Sequence, residues 1–211
     1  MAYPTIAAPY GLRPVQLIGG QPFAGQTREF VIATTYGTDI IMGDVVKHVA
    51  AGGIEKDIGT STATPLGIFM GCRYTEPSTG QVVHSDYWPA SNAATDAVGF
   101  IVDDPDILFQ VASVSSGTTI ESYGRTVIGL NVPLVQNTGN TTIGTSGVAV
   151  DGSSAGTTLS LPVRIVDVIV DTVDSDGEYS EFLCKWNEPY NVEGTPNTTT
   201  GGHFYRNPIG V

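Results

Sequence analysis

The sequence predicts an all-β protein, and three observations predict it. Glycine and proline interrupt the chain throughout, 26 and 13 of them in 211 residues. The longest stretch free of both, Val163–Asp176, is rich in β-branched side chains: Val163, Ile165, Val166, Val168, Ile169, Val170 and Val173. Such residues suit a pleated surface better than a helix. Charged residues make up only 14% of the chain, against about 25% in ordinary domains. Thr, Ser, Gly and Asn supply the polarity instead, as strands and turns require.

Taken in order, the expected strands are Thr27–Thr34, Ile40–Val49, Leu66–Tyr74, Gln81–Trp88, Val98–Val102, Ile107–Val114, Arg125–Leu130, Thr157–Asp171 and Glu178–Trp186. Turn residues separate them. Thr79-Gly80 marks one hairpin loop and Asp176-Gly177 a second, since Gly after Asp readily takes the left-handed backbone of a tight turn. Many short strands with frequent turns predict a compact β-barrel or β-sandwich, jelly-roll-like or β-tulip-like. The segment Gln136–Gly156, rich in Thr, Gly, Ser and Asn, reads as long surface loops with a brief strand at Gly147–Asp151.

Residues 1–26 look different. Pro4, Pro9, Pro14 and Pro22 remove backbone donors and disfavour helix. This predicts an extended N-terminal arm over 1–26 and a β-rich body over 27–211, with room for two small lobes. Tyr3, Ile6, Tyr10, Leu12 and Phe23 make the arm too apolar for a solvated tail. Arg13 and Arg28, two of nine basic residues, lie in or beside it. These seven residues are the expected contacts with a partner surface or a neighbouring subunit. The competing arrangement is an arm that packs on its own body.

The net charge of -12 opposes binding to phosphate backbones, and no Lys/Arg cluster relieves it. Nucleic acid and membrane are therefore not expected partners. The start of the chain lacks the basic and apolar regions of a secretory signal, and no apolar run approaches a membrane span. His48, His84 and His203 are scattered, and no nucleophile elbow, HExxH or phosphate-binding loop occurs. Asp103-Asp104-Pro105-Asp106 reads as a turn, and Asp174-Ser175-Asp176-Gly177 lacks the full ligand pattern of a calcium loop. No enzyme activity, metal or cofactor is expected. Cys72 and Cys184 lie in apolar runs and are expected as buried, reduced thiols.

Several motifs resemble, in order along most of the chain, those of one family. They are Gly11-Leu12-Arg13-Pro14-Val15, Gly19-Gly20-Gln21-Pro22-Phe23-Ala24-Gly25, Gly43-Asp44-Val45-Val46, Pro65-Leu66-Gly67-Ile68-Phe69, Tyr87-Trp88-Pro89-Ala90, Val102-Asp103-Asp104-Pro105-Asp106, Gly129-Leu130-Asn131 and Asn207-Pro208-Ile209-Gly210-Val211. Together they are similar to the capsid decoration, or cement, proteins of tailed bacteriophages. The resemblance implies a structural virion protein on the outer surface of the capsid, assembled in the bacterial host cytoplasm. It implies a homotrimer whose partner is the major capsid protein, and it carries no catalytic residues. The other reading of the same residues is a carbohydrate-binding or adhesion module of a head fibre or tail. It rests on Tyr87-Trp88-Pro89, Lys185-Trp186-Asn187 and the Thr/Gly loops.

Overall fold

The structure is a computed structural model and describes residues 9–33, 36–90, 92–173 and 175–187. The strands are β1 (Arg13–Leu17), β2 (Arg28–Val31), β3 (Ile40–Ile41), β4 (Val45–His48), β5 (Ile54–Lys56), β6 (Gly67–Thr75), β7 (Val82–Ser85) and β8 (Tyr87–Trp88). They continue with β9 (Val98–Val102), β10 (Ile107–Ser116), β11 (Thr119–Ile120), β12 (Asn131–Val132), β13 (Leu134–Asn140), β14 (Thr145–Asp151), β15 (Val163–Val168) and β16 (Glu181–Trp186). Among the described residues, helical structure is confined to three 3-10 turns of three residues each. The fold is all-β.

The largest sheet has the order β12-β15-β16-β10-β14-β13, with β1 and β11 also on β10. The ten-residue β10 is its trunk. Ser113 N donates to Ser180 O, and Ser113 O accepts from Glu121 N. The N–H and C=O of one strand residue point to the same side, so β16 and β11 follow each other along one edge. Along the other edge β1 pairs antiparallel with residues 107–110, and β14 pairs parallel at Ser113 and Val114. A second sheet runs β2-β9-β6-β4-β5, with β7 also on β6, and β3 pairs with β8.

Two apolar cores form, and the second sheet stands between them. Val45, Ile68 and Val102 belong to the core under the large sheet. Their chain neighbours Val46, Phe69 and Ile101 belong to the other core. Successive strand side chains point to opposite faces, so β4, β6 and β9 are covered on both. This explains why Val45-Val46, Gly67–Cys72 and Val98–Val102 within them read as continuous apolar runs rather than as alternating ones. Trp186 and Phe109 anchor the first core, with ring centroids 4.7 Å apart. Trp88 and Tyr74 meet edge-on at 5.4 Å in the second.

Several expected elements differ. Arg125–Leu130 is not a strand; Arg125–Val127 is a 3-10 turn between Gly124 and Gly129. Its polar groups are met locally, as Ile128 N donates to Arg125 O and Leu130 N to Val127 O. Thr157–Asp171 is a strand only over Val163–Val168 and then a 3-10 turn at Val170–Thr172. The Asp176-Gly177 turn has the expected positive φ at Gly177 but does not join two strands directly. Gln136–Gly156 is mainly the hairpin β13–β14, with Val148, Ala149 and Val150 fully buried. Its low bulk serves close approach: a Cβ on Gly147 would sit 2.7 Å from Thr138 O. The β6–β7 hairpin does turn at Thr79-Gly80, with Gly80 at φ 68°.

Candidate interaction surface

The expected arm begins outside the described residues, where Tyr3 and Ile6 lie. From residue 9 onward it belongs to the body, and the boundary drawn at residue 26 is corrected. Residues 13–17 are β1 of the large sheet. Tyr10 is 8% exposed and Leu12 only 1%, so neither projects from the surface as the side chain of a free arm would. Phe23 packs against the first core, and Phe23 N donates to Val15 O. Both Nε and Nη2 of Arg28 donate to Asp103 Oδ2, so its partner is this chain's own carboxylate. Of the expected contact residues that the structure describes, Arg13 is the basic one whose exposed side chain has no carboxylate in ion-pair range among the described residues. Its guanidinium lies 4.1 Å from the centre of the Tyr10 ring.

Proline spacing in residues 1–26 signals extended backbone but not where that backbone lies. The deciding residue is Gly11, at φ 82°. A Cβ there would meet Ser146 Cβ at 2.6 Å and Gly43 O at 2.8 Å. Gly11 thus lets two backbones cross in contact. Gly11 N donates to Val148 O, Leu12 N to Gly43 O, and Gly43 N to Phe69 O.

Beneath this crossing lies Asp44, fully buried. Its Oδ2 accepts from Ile41 N at 2.9 Å and from Lys56 Nζ at 2.8 Å, and its Oδ1 accepts from Ser146 Oγ at 2.6 Å. Ser146 Oγ in turn accepts from Val148 N. One carboxylate therefore joins β3, β5 and β14, which come from three different sheets or sheet branches. Nearby, Glu181 is buried and accepts from Gln110 Nε2 at 2.7 Å. Burial first, and then the Glu181 carboxylate, push the Tyr10 hydroxyl well above the ordinary tyrosine range. The Tyr10 hydroxyl thus keeps its proton throughout the physiological range.

Above the crossing a groove of about 230 Å3 opens to solvent. Tyr10, Leu12, Pro14, Met42, Met70 and Thr145 line it, with Arg13 beside them. Met42 is 37% exposed. Flexible, polarisable methionine is well suited to receive another apolar group. The groove is smaller than the roughly 300–1,000 Å3 of small-molecule sites, and fits a partner's side chain better than a substrate. Sequence reasoning missed it because Met42 and Met70 lie 28 positions apart (70 − 42) and meet only in space. A larger open cleft of about 700 Å3 between residues 26–28 and 103–105 is crossed by the Arg28–Asp103 pair.

Other polar and aromatic candidates are dispersed. His48 packs on Phe30 and His84 stacks on Phe100, on different strands; His203 lies outside the described residues. No group of three His, Cys, Asp or Glu side chains is placed to hold a metal among the described residues. Trp88 is 1% exposed and Trp186 fully buried, so neither ring presents a face to a sugar. Cys72 and Cys184 are both free and buried.

Comparison with protein-family models, curated proteins and solved structures finds no match. No helix among the described residues is long and apolar enough to cross a membrane.

Proposed function

We propose that the chain is a structural virion protein that decorates the outer surface of a phage head. It works as a homotrimer and stabilises the head by clamping neighbouring major capsid subunits. The observation that carries this reading is where the resembling motifs meet. Gly11-Leu12, Gly43-Asp44 and the Leu66–Phe69 run, far apart in sequence, hydrogen-bond to one another around a single crossing: Leu12 N to Gly43 O, Gly43 N to Phe69 O, Phe69 N to Asp44 O, and Leu66 N to Val46 O. Motifs that form one interlocked unit support a shared architecture better than motifs scattered over a surface. The acidic surface fits an outer position, away from packaged DNA. Several modest contacts made at once by an oligomer supply the clamping strength.

The test is addition of the purified protein to heads that lack it, followed by imaging and a heat challenge. Regular densities over the whole head and a raised temperature of head disruption are expected. Heads that stay bare at saturating protein concentrations would overturn the reading.

A further inference from the structure

We infer that the pocket between β3, β5 and β13 receives an arginine side chain of a partner protein. The inference rests on the proposed reading only in naming the major capsid protein as the partner that supplies it. The pocket holds about 380 Å3 and opens to solvent. Asp39 borders it just before β3, Lys56 and Ile58 at and after the end of β5, and residues 136–139 along β13. Because β5 and β13 belong to different sheets, the pocket lies between the two.

Charge selects the guest. Lys56 is the one cation among the lining residues, and its ammonium is already paired with the buried Asp44 at 2.8 Å. Asp39 is the one lining carboxylate. Its Oδ1 accepts from Ala90 N at 2.7 Å, and no basic group lies in ion-pair range of it among the described residues. The pocket therefore carries an uncompensated negative charge. A second acceptor is also unmet. Gln136 Nε2 donates to Gly59 O at 2.9 Å, which fixes the sense of the amide, because a carbonyl only accepts. Gln136 Oε1 is left buried without a hydrogen-bond partner, and native structures seldom strand such an atom. Ile58, 69% exposed, adds apolar surface at the rim. The guest thus needs positive charge, several donors and an aliphatic stem. Arginine has all three, with five N–H donors in a planar fork and no acceptor. A sugar hydroxyl brings no charge to answer Asp39.

The first test uses the full chain without heads. Acetyl-arginine amide, acetyl-citrulline amide and methyl glucoside are each added in the millimolar range, and saturation-transfer NMR follows binding. Citrulline keeps the shape of arginine without the charge. Transfer to the side-chain methylenes of the arginine derivative is expected, with about fivefold weaker binding of the citrulline derivative. Asp39→Asn should weaken the arginine derivative to the same extent and keep its melting temperature, since asparagine retains an oxygen for Ala90 N. Asp104→Asn, in the cleft at residues 103–105, should bind as the native chain does. Equal binding of the two derivatives, transfer to methyl glucoside alone, no transfer to the arginine derivative, or equal losses in Asp39→Asn and Asp104→Asn would each overturn the inference. In the second test Asp39→Asn is added to bare heads at a sub-saturating concentration, where its occupancy should fall below that of the native chain. Undiminished occupancy would overturn the inference and leave the decoration reading standing. Native protein that binds the arginine derivative yet leaves heads bare would fail the decoration reading alone.

Discussion

Asp44 is fully buried, and its two oxygens accept from Ile41, Lys56 and Ser146. Removing a buried carboxylate strands its partners without compensation from water. Asp44→Ala should therefore cost about 3–5 kcal/mol of unfolding free energy, read by urea denaturation. Ser146→Ala, which removes one donor to the carboxylate and the acceptor of Val148 N but leaves the Lys56 pair in place, should cost less, about 1.5–3 kcal/mol. Equal losses in the two variants would mean that Ser146, not the ion pair, holds the joint. A second expectation concerns the thiols. Burial, and then the nearby Asp86 carboxylate, push Cys72 up to about 12; burial alone raises Cys184. At pH 8 only about one Cys72 in ten thousand is thiolate, the reactive form. The native protein should resist thiol reagents, and both sites should label once urea unfolds it. Rapid labelling of either cysteine in buffer would contradict the packing described.

At the scale of elements, the decisive case is β1 and the two residues before its strand. Leu12 is 1% exposed in the first core, so Leu12→Ala should cost about 2–5 kcal/mol. Deleting residues 2–12 should likewise lower the melting temperature, which circular dichroism would detect. An unchanged melting temperature would restore the picture of a detachable arm. The sequence shows why this element was misread. Proline and apolar content in residues 1–26 specify extended, sticky backbone, and both a docked arm and a sheet strand satisfy that description. The choice was made by Gly11, whose missing Cβ matters only against Ser146, 135 positions away (146 − 11). The same limit explains β13–β14, whose small residues looked like loop until their close neighbours were in place. By contrast, β6, β9, β10 and β16 were legible, because dense β-branched and aromatic runs bounded by turns admit few alternatives. Of the five expected contact residues that the structure describes, Arg13 alone stands at the groove with an exposed side chain. The methionines that complete the groove carried no local signal.

At the scale of the molecule, the two cores cannot separate, because β4, β6 and β9 contribute alternate side chains to each. Losing either core strips one face of the same sheet. Unfolding should therefore occur in one transition despite the two cores. Nature supplies one reporter per core: Trp88 in the second and Trp186 in the first. Trp88→Phe and Trp186→Phe variants isolate each fluorescence signal. Each curve should coincide with that variant's own far-ultraviolet circular dichroism curve in urea. A midpoint that differs between the two probes within one variant would show that the cores melt separately.

The place of β10 also sets a schedule for biosynthesis. β1 ends at Leu17, and its partner strand starts at Ile107; the other side of β10 waits for β16, which ends at Trp186. At translation rates of about 5–20 residues per second, β1 leaves the ribosome many seconds before any strand can pair with it. The large sheet then closes only when nearly the whole described chain has been made. The second sheet, whose strands all end by Val102, is complete long before; a nascent chain thus carries one finished sheet whose face toward the first core stays uncovered until the last strands of the large sheet emerge.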